Sequence, residues 1–172
     1  INDGGSITGG DNGVSAVAAG KLFVDNRSTG ADASTIQGVS SGIRFGTTVG
    51  GVPIPHVGDV EILNGADDVI RATAGDGIAG LATGQIDIVN LSGGTIDGAT
   101  NGINVTSLLS GVNIANGGDI AAGQNGIVAI AGLGNVSIDG EDDGTGGKIY
   151  GSVDATNGSG IFGVALGNGD VS

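Results

Sequence analysis

The chain repeats one short unit with a nearly constant period. Gly94-Thr95-Ile96-Asp97-Gly98, Gly118-Asp119-Ile120-Ala121-Ala122 and Gly147-Lys148-Ile149-Tyr150-Gly151 are versions of a first phrase. A second phrase follows each: Asn101-Gly102-Ile103-Asn104-Val105, Asn125-Gly126-Ile127-Val128-Ala129 and Ser159-Gly160-Ile161-Phe162-Gly163. A third closes the unit: Gly111-Val112-Asn113-Ile114, Asn135-Val136-Ser137-Ile138 and Gly169-Asp170-Val171-Ser172. Ile96 and Ile120 are 24 residues apart, as are Ile103 and Ile127, and Val112 and Val136. A fixed period of that size, with three short alternating segments per unit, is the signature of a solenoid.

Earlier in the chain the same phrases recur less regularly. They run Ser6-Ile7-Thr8, Gly13-Val14-Ser15-Ala16 and Lys21-Leu22-Phe23-Val24, then Thr35-Ile36-Gln37, Gly42-Ile43-Arg44-Phe45 and Asp59-Val60-Glu61-Ile62. A third set is Asp68-Val69-Ile70-Arg71, Gly77-Ile78-Ala79-Gly80-Leu81 and Gln85-Ile86-Asp87-Ile88. Apolar and polar residues alternate within each phrase, so one set faces inward and the other faces water. Stacking the phrases predicts an all-β, right-handed parallel β-helix of about six coils with three short strands per coil. Ile96, Ile120 and Ile149 are expected in one internal column, Ile103, Ile127 and Ile161 in a second, and Val112, Val136 and Val171 in a third. One coil alone buries too little to offset the entropy of ordering it, so stability belongs to the stack.

Glycine and proline together make 41 of 172 residues (39 and 2), a level at which low-complexity disorder competes. The periodic placement of Ile, Val and Leu decides for order, with glycine at the turns. The formal net charge of −13 disfavours nucleic acid and anionic lipid as partners. No apolar run is long enough for a membrane span, so no direct membrane insertion is expected. The absence of cysteine excludes disulfides, thiolate metal sites and cysteine nucleophiles. No leader segment opens the chain, Ile1 starts in mid-phrase, and no terminal caps are visible. The expectation is a single β-helix domain, residues 1–172, taken from a longer protein.

Three stretches depart from the minimal coil: Asn26 to Ser34, Gly46 to Gly58, and Asp139 to Gly147. Insertions in solenoids fall in loops, where function tends to sit. In the last stretch, Asp139, Glu141 and Asp143 with Gly144 resemble the start of a calcium loop, and these three are the candidate metal ligands. Tyr150 stands where the bidentate glutamate belongs, so the competing reading is a solvated acidic turn, and no cofactor is required. In the middle stretch, Val49, Val52, Ile54 and Val57 suggest a small lateral β-flap. Packing of this flap on the coil is preferred, and an exposed partner contact is the alternative. His56, the only histidine, lacks the companions of a zinc site or a catalytic base and is read as a loop residue. The Asn-x-Ser/Thr matches arise readily in a chain of this composition and are assigned no role.

Carbohydrate-active β-helices need converging carboxylates, or a basic residue beside a calcium site. Asp87, Asp97 and Asp119 fall at turns or on different faces, and Arg44 and Arg71 have no evident carboxylate cluster. Catalysis is therefore not expected. The run Gly-Gly-x-Ile, Asn-Gly-Ile-x-Val and Gly-Asn-Val-Ser-Ile, most regular from Gly94 to Ile138, resembles the passenger regions of Gram-negative autotransporter adhesins and filamentous-haemagglutinin-like surface proteins. The resemblance covers most of the chain and weakens before Ile62. It implies a right-handed parallel β-helix at the outer surface of a bacterium, serving adhesion, aggregation or biofilm formation, and it carries over no binding residue. The expected function is a non-catalytic extracellular stalk or adhesive, self-associating surface, with a host surface molecule or neighbouring copies as partners. A polysaccharide-directed β-helix (lyase, glycosidase or tailspike segment) is the alternative.

Overall fold

Short β-branched phrases separated by glycine-rich corners coil the chain into three parallel sheets, and no helix interrupts them. The computed structural model describes all 172 residues. The first sheet stacks Ser6–Thr8, Thr35–Gly38, Val69–Ala72, Thr95–Gly98, Asp119–Ala122 and Val153–Ala155. The second stacks Asn12–Ala16, Ser41–Phe45, Asp76–Ala82, Ile103–Ser107, Ile127–Ala131 and Ile161–Ala165. The third stacks Leu22–Asn26, Val60–Asn64, Ile86–Asn90, Val112–Asn116 and Val136–Asp139, and Val171 adds a bridge to Val136. Each coil visits the three sheets in turn, which makes this a parallel β-helix of about six coils.

Register keeps like residues above one another. Ile7, Ile36, Ile70, Ile96, Ile120 and Val153 form one internal column. Val14, Ile43, Ile78, Ile103, Ile127 and Ile161 form a second, and Leu22, Val60, Ile86, Val112, Val136 and Val171 a third. In mid-stack these side chains are buried. A slip of one residue would turn every one of them to water, so burial enforces the register. Phe45 is accommodated because its neighbour in the next coil is Gly80, whose missing side chain leaves room for the ring.

Ile149 is not in the first column. The residue that pairs with Ile120 is Val153, and Ile149 lies in an antiparallel hairpin, Glu141–Asp142 with Lys148–Ile149, set outside the coil. Seven residues separate Ile96 from Ile103 and Ile120 from Ile127, and eight separate Val153 from Ile161. From Ile149 to Ile161 the count is twelve, too long for the corner between the first and second sheets.

The core also contains a polar column. Asn26, Asn64, Asn90 and Asn116 end four successive strands of the third sheet with their side chains turned inward. Asn2 Nδ2 donates to Asn26 Oδ1 at 2.8 Å, Asn26 to Asn64 at 2.8 Å, Asn64 to Asn90 at 2.9 Å, and Asn90 to Asn116 at 2.8 Å. Spare amide hydrogens reach main-chain oxygens at the turn into the first sheet, such as Asp68 and Thr95 for Asn64. Buried polar groups need partners, and this ladder supplies them coil by coil. It ends where Gly140 takes the next register position.

Candidate functional site

Interior positions are committed to the columns, so contact chemistry falls to the outward faces and the three corners. The corner between the second and third sheets stands apart. Its connectors are residues 17–21, 46–59, 83–85, 108–111, 132–135 and 166–170. The only charged residues in them are Lys21, Asp59 and Asp170, each in the last position before the third-sheet segment. The same connectors expose Val17, the flap residues, Leu108, Leu109, Leu133 and Leu166, with Leu109 at 63% and Leu166 at 71%. Second-sheet register places Leu108 in line with Leu166 and Leu109 in line with Leu133. An uncharged aliphatic edge therefore runs along a rod of net charge −13. Large exposed apolar patches mark interaction sites on soluble proteins.

The flap is a two-stranded hairpin, Thr47–Val49 paired with Val52–Ile54. Gly50 and Gly51 have φ of 58° and 83°, the left-handed pair that a tight two-residue hairpin turn requires. Packing of the four aliphatic residues on the coil is overturned: Val49 is 64% exposed, Val52 59%, Val57 53% and Ile54 38%. Alternation gives the hairpin two faces. Thr48 and Pro53, a directly opposed pair, face the coil, and the Val49–Val52 and Thr47–Ile54 pairs fall on the other side.

What anchors the flap is His56. Sequence reasoning placed it in a loop, but its side chain is buried, because the chain rejoins the ladder immediately after Pro55. His56 N–H donates to Leu81 O at 2.9 Å, Thr83 N–H donates to His56 O at 2.9 Å, and Val57 N–H donates to Ala18 O at 2.9 Å. The ring spans the first coil: Ala18 N–H donates to Nδ1 at 3.3 Å, and Nε2 donates to Gly20 O at 2.8 Å. With Nδ1 accepting and Nε2 donating, both ring nitrogens are committed to this clamp.

Between the flap and the outer face of the second sheet lies a cleft of about 250 Å³. Arg44, Asp76, Ala79, Asn104, Thr47 and Thr48 line it. The chain has five Lys and Arg residues, and four are ion-paired: Lys21 with Glu61, Arg27 with Asp25, Arg71 with Asp97 and Lys148 with Asp139. Arg44 is the fifth. Its register neighbours are Ser15 and Ala79, which carry no charge. Asp76 shares the cleft, but its oxygens accept from Asn101 Nδ2 at 2.7 Å and Asn104 Nδ2 at 3.1 Å.

The candidate calcium ligands do not converge. Glu141 accepts from Ser92 N–H at 2.7 Å, Asp139 caps Gly140 N–H at 2.8 Å and pairs with Lys148, and Asp143 accepts from Thr145 and Gly147. The structure contains no group of three acidic or histidine side chains able to hold a metal ion. Asp139 is held below the ordinary aspartate range by the Gly140 N–H, with Tyr150 and Lys148 adding to the effect. Asp143 is lowered by Thr145 N–H and Oγ1 and by Gly147 N–H. The expectation that Asp87, Asp97 and Asp119 fall at turns or on different faces is corrected, because all three lie on strands. Asp97 and Asp119 share the outer face of adjacent first-sheet strands two residues out of register, and Asp87 is in register with Glu61. Each has its own polar partner: Asp97 pairs with Arg71, Asp87 accepts from Asn113, Asp119 accepts from Ser152, and Glu61 pairs with Lys21.

Sequence reasoning missed the leucines of the second-to-third corner and the isolation of Arg44. A signal for the first existed: the alternation breaks at Ser107-Leu108-Leu109-Ser110, with two aliphatic residues directly after a strand phrase. No family model matches the chain, and neither a curated protein nor a solved structure matches it.

Proposed function

We propose that this chain is a non-catalytic rod from a bacterial extracellular surface protein of the autotransporter-passenger or filamentous-haemagglutinin style, acting as a stalk and as a self-associating surface. The observation that carries the reading is the uncharged aliphatic edge on an otherwise acidic rod. Every copy presents the same edge, so a neighbouring copy fits it. Side-by-side pairing there also keeps the acidic connectors between the third and first sheets (Asp32, Asp67, Asp68, Glu141, Asp142 and Asp143) away from the contact. The role requires neither a cofactor nor catalysis. The Arg44 cleft, with Asp76 as its one acid, offers no carboxylate pair of the kind that glycoside hydrolysis uses.

The test is sedimentation of the wild type against Val52→Asp/Ile54→Asp and Leu109→Asp/Leu133→Asp. All four positions are exposed, so the coil tolerates the changes, and circular dichroism checks that it does. The expected result is concentration-dependent association of the wild type that both double variants abolish. A wild type that stays monomeric at high concentration, or variants that associate unchanged, would refute the reading.

A further inference from the structure

We infer that the cleft beneath the flap is a binding site for an acidic sugar residue, with Arg44 as the carboxylate-binding group. The inference stands on the cleft and not on pairing through the aliphatic edge. Arg44 projects outward from Ser41–Phe45, between Ser15 and Ala79 in the adjacent coils. Its guanidinium has neither an ion-pair partner nor a protein hydrogen bond, in a chain with 18 acidic residues. A planar five-donor fork left open inside a walled cleft matches a carboxylate in two-point contact.

The rest of the lining selects what the carboxylate is attached to. Thr48 offers a hydroxyl, Asn104 an amide, and Asp76 acceptor oxygens. These are partners for a polyhydroxylated ring. The walls lack a deep apolar recess of the sort an amino-acid side chain would fill: the apolar lining is Phe45, Ala79 and Leu81 with Pro53, and the Phe45 side chain is itself buried in the core. A volume of about 250 Å³ lies below the roughly 300–1,000 Å³ of drug-sized sites, which suits one ring with its neighbours extending along the rod. The outward column begins at Ser15 on the first strand of the second sheet and continues past Arg44, Ala79 and Asn104 to Val128 and Phe162.

The experiment is calorimetric or NMR titration of the intact chain with a galacturonate trimer, maltotriose and acetate as separate probes. The trimer is expected to bind, and Arg44→Gln to weaken it at least tenfold without lowering the melting temperature. Arg44→Lys should fall between, because an ammonium lacks the fork. Val52→Asp/Ile54→Asp should leave trimer binding intact, since those side chains lie on the hairpin face away from the cleft. This last result separates failure of the cleft from failure of the edge. No trimer binding, or binding indifferent to Arg44→Gln, overturns the site. Equal affinity for maltotriose removes the carboxylate from the recognition, and equal affinity for acetate removes the sugar; either overturns the assignment.

Discussion

Asn90 sits in the middle of the asparagine ladder, and its replacement tests whether that ladder holds the stack together. Its Oδ1 accepts from Asn64 at 2.9 Å, and its Nδ2 donates to Asn116 Oδ1 at 2.8 Å and to the Gly94 oxygen at 3.3 Å. The side chain is fully buried. In Asn90→Ala, Asn64 keeps its bonds to Asp68 and Thr95 oxygens, but Asn116 Oδ1 loses its donor. An orphaned buried acceptor costs about 1–3 kcal/mol, and the lost bonds and void bring the expected total to about 3 kcal/mol. At ~1.4 kcal/mol per decade, that opens the central coils roughly a hundredfold more often.

A stack of coupled coils does not unfold as one two-state unit, so the readout is local. Hydrogen exchange at the amides of Ile96 and Val112 should accelerate by about two decades, with little change at Ile7. Asn90→Asp discriminates further. It conserves volume, yet points an acceptor at Asn116 Oδ1 and at the Gly94 and Asp119 oxygens. It should cost more than Asn90→Ala. An aspartate variant close to the wild type, or an alanine variant with less than a threefold change in exchange, would refute the ladder's structural role.

His56→Ala orphans Ala18 N–H and the Gly20 oxygen and should destabilise the first two coils by about 2–4 kcal/mol, read as faster exchange near Ala18 and early proteolysis at the flap; unchanged protection there contradicts the clamp. Gly80→Ala forces a methyl group against the Phe45 ring and should cost about 1–3 kcal/mol, partly restored in the double variant with Phe45→Leu; a strictly additive double variant refutes the pairing. Asp139 and Asp143 have lowered folded pKa values, so their contribution is complete above the ordinary aspartate range and fades as pH falls below about 4. Exchange at Thr145 and Gly147 should rise in that acid window before the central coils respond, and a hairpin insensitive to acid rules this out.

The columns were legible in the sequence because aliphatic residues recur with a nearly fixed period, and only inward positions impose that demand. Ile149 escaped for the converse reason. Its surroundings copy the local phrase of Ile96 and Ile120, and only the distance to Ile161 reveals that Val153 occupies the column. The asparagine ladder was hidden in plain view: Asn64, Asn90 and Asn116 recur 26 residues apart, but asparagine at the end of a strand signals a surface turn equally well. His56 between two aliphatic loop residues carried no sign of burial, since the contact that buries it comes from Ala18 and Gly20, more than 35 residues earlier. Arg44 could be located on a strand, but its solitude depends on what every other basic side chain does, and that is a property of the assembled coil.

Stacking also explains why the edges of this rod differ in chemistry. A charged residue on an outward strand position meets the equivalent position of the next coil directly: Arg71 finds Asp97 there, Glu61 finds a second acid, Asp87, and Arg44 finds only Ser15 and Ala79. Corners are freer, and insertions and unlike charges collect in them. Acids collect in the longer connectors between the third and first sheets, residues 27–34, 65–68 and 140–152, and exposed aliphatic residues collect in those between the second and third. The two edges respond to salt in opposite ways. Raising ionic strength from 0.01 M to 0.1 M shortens the screening length from about 30 Å to about 10 Å and weakens repulsion between acidic rods. The aliphatic contact is not screened, and excluded salts such as sulfate strengthen it. Association through the aliphatic edge must therefore increase with salt and increase further in sulfate, with Leu109→Asp/Leu133→Asp abolishing the rise. Association that declines as salt is added would mean that ion pairs cross the contact, and pairing through the uncharged edge would be wrong.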